Sequence, residues 1–183
     1  SLIVEDGTRL ASKVRRGEMA DVDDDIAADR YVQADDALSA AGFQWYEVSN
    51  WAKPGAACRH NLVYWHNHDW WGIGPGAHSH MHGRRWWNHK HPARWAGDLA
   101  AGILPVAGAE DVDAAGQALE QVMLGLRLRE GISTTVLTPE ARIRAEQFAR
   151  EGLLDADALG HGRAVLSDAG RLLADAVVRE LTP

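Results

Sequence analysis

The chain has 183 residues, 46% of them apolar and 25% charged, which suits a globular protein of one domain or two small ones. No run approaches the roughly 18 apolar residues of a membrane span, and no basic-then-apolar leader opens the chain. A single cysteine, Cys58, excludes an internal disulfide framework and suits a reducing, cytoplasmic setting, while the net charge of −7 disfavours bulk nucleic acid as a partner.

Leu2 to Val4 reads as a short buried strand, and a chain that opens inside a strand without Met is expected to be a piece of a longer one. A helix from Arg9 to Arg16 stops at Gly17. Asp21 caps a second, with acid in its first turn and an apolar face of Ile26, Ala27, Tyr31, Ala34, Leu38 and Ala41. Gly42 closes that helix, and Phe43 to Val48 is β-rich. Helix followed by strand predicts an α/β unit with a parallel sheet. "NWAKPGAAC" reads as loop by its Pro-Gly step.

His78, His80 and His82 alternate, so a strand puts them on one face, with Gly83 in the turn and "RRWWNH" as the return strand. Pro92 to Ala101 is a helix ended by Gly102, and Leu104 to Ala109 reads as linker. Asp111 then opens a helix with apolar positions Ala115, Leu119, Val122, Met123 and Leu126. Thr138-Pro139 starts another that Gly152 stops. "LLDADALGHGRAVLS" reads as a hairpin about Gly160-His161-Gly162. Ser167 or Asp168 caps a last helix with Leu172, Leu173, Ala176, Val177 and Leu181 on one face. This second half has the plan of a small winged-helix-like domain. Its Arg142 and Arg144 sit on the helix that would face DNA, but eight Lys/Arg against thirteen Asp/Glu in residues 110–183 oppose that use.

Residues 59–92 hold eight of the nine histidines, and residues 45–95 carry six Lys/Arg against two Asp/Glu. A basic, aromatic island between acidic flanks favours an anionic, planar ligand. Three histidines on one strand face would suit zinc with a water in the fourth position, yet the only nearby acid is Asp69 and solvent-facing histidines are the plainer reading. His60 beside Tyr64 and Trp65 would suit an axial haem ligand with aromatic walls, and Cys58 would offer a thiolate instead. Alternatively His60 and Asn61 cap a short helix whose Tyr64 and Trp65 fill the core, which composition alone favours. Gly72, Gly74 and Gly76 let backbone approach either a ligand or another strand, without matching the dinucleotide-binding pattern.

"YEVSNWAKPGAACRHNLVYWHNHDWWGIGPGAHS", Tyr46 to Ser79, closely resembles the HemW branch of the oxygen-independent coproporphyrinogen III oxidase-like radical SAM proteins. The family reads Y-E-[IV]-S-N-[FW]-[AS]-[KR]-x-G, then C-x-H-N-x-x-Y-W, then G-[IL]-G-x-G-A-H-S. "VEDGT" resembles its E-x-G-T, "LEQVMLGLRLREGI" its E-x-x-x-x-G-L-R-x-x-x-G-[IV], and "LSDAGRLLADAVVREL" its L-T-x-x-G ending with Ser167 for Thr.

The resemblance implies an α/β fold: the closing portion of a partial TIM-like radical SAM barrel in residues 1–95, a linker over 96–109, and a mostly α, winged-helix-like domain over 110–183. It implies the C-terminal part of a cytoplasmic protein whose other part binds a [4Fe–4S] cluster and most of S-adenosylmethionine, cluster ligands that one cysteine cannot supply. No catalytic residue is expected here, and no radical chemistry by this chain alone. Members either decarboxylate coproporphyrinogen or act as haem chaperones that pass haem to acceptor proteins, membrane-associated ones among them. The intact H-N-x-x-Y-W implies the second. His60, Asn61, Tyr64 and Trp65 would form the haem site, with His60 as iron ligand and Lys53, Arg59, Arg84 and Arg85 as partners of the propionates. Gly72, Gly74, Gly76, Ala77 and His78 would lie along S-adenosylmethionine. His80, His82, His89 and His91 match no family position, and an incomplete barrel with open edges is expected to self-associate.

Overall fold

The computed structural model describes Val4 and residues 6–182, so the strand expected at Leu2 to Val4 falls almost wholly outside the described residues. Helix α1, Arg9–Arg15, is capped by the Thr8 hydroxyl, which accepts from the Ala11 N–H at 3.1 Å. Helix α2, Asp24–Ala40, starts from Asp23, whose carboxylate accepts from the Ile26 N–H at 3.0 Å, two residues later than the Asp21 cap expected. It buries none of its side chains, and Ile26 and Val32 stay 49% and 44% exposed.

Strands β1, Gln44–Glu47, and β2, Asn50–Ala52, form an antiparallel hairpin with Trp45 opposite Trp51. The expected parallel sheet is thus replaced: among the described residues every strand pairing is antiparallel. A two-residue turn brings "NWA" straight back, so the segment read as loop begins as a strand. Helix α3, Arg59–Trp65, follows.

Strands β3, His78–Met81, and β4, Arg84–Asn88, are joined by His82 and Gly83, both at positive φ (52° and 79°), the backbone of a tight hairpin turn. After helix α4, Pro92–Ala100, the chain returns as β5, Val106–Asp111, on the far side of β4. The stretch read as linker is therefore largely strand. Two features fix it: Arg84 and Arg85 lie opposite Asp111 and Glu110, and Gly108 lies under the Trp87 indole, where an added Cβ would come within 2.4 Å of the ring.

Helix α5, Ala114–Gly125, is capped by Asp113 rather than Asp111. Its buried face is Glu120, Val122 and then Leu126 just past its end, while Leu119, expected inside, is 38% exposed. A short β6, Ile132–Ser133, and one 3-10 turn, Thr134–Val136, lead to α6, Pro139–Arg150, capped by Thr138 as expected. The expected hairpin about Gly160 keeps its arms, joined at Leu154 and Leu166, but its tip is helix α7, Ala156–Gly160. Strand β7, Arg163–Ala164, pairs with β6 instead. The last helix breaks at Leu173 into α8, Asp168–Leu172, capped by Ser167, and α9, Ala174–Leu181.

The core is one-sided. Val122, Leu126, Ile132, Leu137, Phe148, Leu154, Leu166, Val177 and Leu181 form a single buried cluster in the second half. In the first half Ala11 alone is a buried apolar residue among those described. The halves are joined by Val48, which packs against that cluster, and by polar contacts: the end of β1 bonds the segment after α5 (Val48 N–H to Arg127 O, Arg129 N–H to Tyr46 O, both 3.0 Å), and Arg171 of α8 grips α2. No described helix is long and apolar enough to cross a membrane.

Candidate functional site

The order of the site begins at Glu47, which is fully buried. Its carboxylate accepts from the Ser49 N–H at 3.1 Å, from the Asn50 side-chain amide, and from Asn61 Nδ2 at 3.4 Å. Asn61 Nδ2 also donates to the Tyr46 hydroxyl at 3.2 Å. The Y-E-V-S-N and H-N motifs therefore meet, and Asn61 is spent on fixing α3 against β1. A buried carboxylate held by three donors is the least costly way to keep that charge inside.

With Asn61 turned inward, His60 and Tyr64, four residues apart, share the exposed face of α3. His60 Nε2 and the Tyr64 hydroxyl lie 3.0 Å apart, the rings edge to face with centroids 5.1 Å apart. Tyr64 meets Trp70 edge-on at 5.0 Å, and Trp70 packs on His80 at 4.9 Å. A cavity of about 400 Å³ beside this face is lined by Arg59, His60, Leu62, Val63, His66 and His68. Trp65 instead lines a second cavity of about 520 Å³ toward the other half, with Leu128, Ile132 and Arg163. The four expected haem residues thus point three ways: His60 and Tyr64 outward, Asn61 to β1, Trp65 to the seam.

The three alternating histidines do not converge. His78 is exposed and stacks on Trp87; His80 is buried, its Nδ1 3.3 Å from the His68 carbonyl; His82 sits in the turn with its ring 3.1 Å from Asp69. The strand ends at Met81, so His82 leaves the shared face. Among the described residues no three His, Cys, Asp or Glu side chains are placed to hold a metal ion, which sets aside the zinc reading. His89 faces Asp98 of α4 at 3.7 Å, and His91 is exposed ahead of α4.

The glycine loop is shaped by its own packing. A Cβ on Gly72 would lie 2.0 Å from the His78 carbonyl oxygen, and Gly74 and Gly76 have φ of 116° and 70°. Asn88 Nδ2 donates to the Gly74 carbonyl at 2.9 Å, and the Asn88 N–H to Ala77 O at 2.9 Å. Ile73 is left 86% exposed at the tip.

Of the four cations expected to meet propionates, three are engaged. Lys53 donates to Ala41 O and lies over Phe43; Arg84 pairs with Asp111; Arg85 reaches Glu110 at 2.9 Å and Glu120 at 2.6 Å. Arg59 has no ion pair or hydrogen bond among the described residues. Buried Glu120 also accepts from Asn67 at 3.0 Å, and a Cβ on Gly125 would come within 2.4 Å of Ile132. That accounts for the acid and the first glycine of "EQVMLGLRLREGI". Arg142 is bonded to the Thr134 carbonyl, and Arg144 lies over Phe148 beside Glu180, so these two arginines of α6 face their own domain.

Glu47, Trp70, Glu120 and Arg171 were not singled out from the sequence. The available signals were motif positions, since Glu47 is the acid of Y-E-V-S-N and Glu120 that of the E-x-x-x-x-G signature; nothing local marks Trp70 or Arg171. Arg171 is 2% exposed and forms a two-point pair with Asp35 plus a bond to Tyr31. Its hydrogen bonds hold the Asp35 carboxyl below the usual range, whereas burial pushes the Tyr31 phenol up.

No family model matches the chain. In fold it resembles coproporphyrinogen III oxidase from Escherichia coli, described as a radical SAM enzyme, with a TM-score of 0.62 at 14% identity over 82% of this chain and 39% of that one. The arrangement shares the fold of part of that enzyme. In sequence it is 54% identical, over 99% of its length, to the "Heme chaperone HemW" of Mycobacterium tuberculosis, and 34% identical over 79% to that of Synechocystis. The chain belongs to the HemW family. It spans less than half the length of these relatives, 46% and 37%.

Proposed function

We propose that this chain binds haem on the exposed face of α3 and serves a protein that delivers haem to acceptors. The observation that carries the reading is an outward imidazole, His60, which lines an open groove of about 400 Å³ together with apolar Leu62 and Val63 and an unpaired cation, Arg59. Those residues fit haem as cargo: a nitrogen for iron, apolar contact for the ring, a cation for a carboxylate. A ligating histidine commonly donates its other ring N–H to an acceptor. His60 would donate Nε2–H to the Tyr64 oxygen and offer Nδ1 to iron.

S-adenosylmethionine and a [4Fe–4S] cluster belong to the proposal for the whole protein. The cluster does not fit this chain, whose one thiol is Cys58. The loop from Gly72 to His78 stays the candidate S-adenosylmethionine side, and its self-packing would present a fixed backbone edge to the adenosine. A haem titration read by the Soret band, beside His60→Ala, tests the site. A saturable shift lost in the variant is expected; equal, weak binding by both would return His60 to a surface residue.

A further inference from the structure

Of the four cations that the sequence offers to haem propionates, the fold has already committed three. Lys53 is tied to Ala41 O and the Phe43 ring, Arg84 to Asp111, and Arg85 to Glu110 and Glu120. A ligand carboxylate drawn to any of these would compete with an internal contact. Arg59 is exposed, carries no such contact among the described residues, and lines the same cavity as its neighbour His60. A guanidinium presents two parallel donors to one carboxylate, a geometry a lysine cannot copy.

We infer that Arg59 is the carboxylate anchor of the α3 site and selects metalloporphyrins that keep an ionised propionate. This rests on the haem-binding reading above. Iron ligation by His60 is blind to the ring's substituents, so the propionate has to be read by another side chain. Arg59 reads it while Leu62 and Val63 take the ring. Because the anchor is solvent-exposed, its contribution is modest and salt-sensitive.

The test is a Soret titration with iron protoporphyrin IX and with its dimethyl ester, both in the same dilute detergent, on the parent chain, Arg59→Gln and Arg59→Lys. The parent is expected to bind the free acid about fivefold more tightly than the ester. Arg59→Gln should erase that preference by weakening only the free acid, with Arg59→Lys in between, and the preference should shrink at high salt. Unchanged preference in Arg59→Gln, or equal weakening of both porphyrins, overturns the inference while leaving haem binding in place. Absence of a saturable shift for both porphyrins in the parent overturns the haem reading itself and the anchor with it.

Discussion

Arg171 and Asp35 are 136 residues apart in sequence and meet in a two-point ion pair, at 3.2 and 2.6 Å, across the seam between the halves. The guanidinium lies over Trp45 at 4.7 Å, and the same carboxylate accepts from the Trp51 indole. Burial works against the arginine's charge, and its bonds to Asp35 and Asp168 outweigh that, leaving its pKa raised. Asp35→Asn is expected to cost about 2 kcal/mol in denaturant unfolding, because it leaves the buried cation with solvent-exposed Asp168 as its remaining ion-pair partner. A loss below about 1 kcal/mol would reduce the pair to a surface contact.

The same pair sets a pH dependence. Hydrogen bonding from Arg171, the largest cause, lowers the folded Asp35 pKa, so below the unfolded value of about 3.9 the unfolded chain binds the extra proton. This contribution is present above that value and is lost as pH falls through the folded pKa. Unfolding of the parent should therefore ease more steeply with acid than unfolding of Asp35→Asn; parallel profiles would refute it.

Two glycines should respond in opposite directions to alanine. Gly131, at φ 59° with a new Cβ 2.0 Å from the Ala164 carbonyl oxygen, has no room, and Gly131→Ala should destabilise by more than about 2 kcal/mol. Gly97, inside α4 with nothing within 4 Å of its Cβ, should gain about 0.5–1 kcal/mol by the helix preference of alanine. Equal effects in thermal melts would contradict both.

Tyr64→Phe removes the partner of His60 Nε2 without touching the core. Haem affinity is expected to fall roughly tenfold with little change in Tm, as when a group orienting a ligand is lost. Tighter binding would mean that the hydroxyl occupies the ligating nitrogen, and that iron takes Nε2.

Ile26, Val32, Trp71, Ile73, Leu99, Ile103 and Leu104 are all exposed in the first half. The isolated chain is expected to self-associate through these side chains, giving a light-scattering mass above that of one copy and dye binding to apolar surface. A sharp monomer peak would count against it.

Local chemistry was readable in advance. Thr138-Pro139 and Ser167 cap where their side chains allow, and Gly83 turns the hairpin. The paired motifs around His60 and Gly72 led to the family. The chain forms antiparallel pairs in place of a parallel sheet, strand in place of much of the linker, and a broken last helix, because strand partners and helix breaks depend on residues distant in sequence. β5 is a strand because Arg84, Arg85 and Trp87 lie beside it, not because "VAGAED" favours extension by itself.

Within the site the same division holds. Which side chains gather is legible in H-N-x-x-Y-W, which places imidazole, phenol and indole on one short helix. Which way each faces depends on packing: buried Glu47 draws Asn61 inward, and helical periodicity then sends His60 and Tyr64 out. It also decided which cation stays unpaired, because Arg84 and Arg85 meet acids brought over by β5 and α5, and Arg59 meets none among the described residues. Motifs specify chemistry locally; burial and long-range charge pairing choose which of those groups remain available to a ligand.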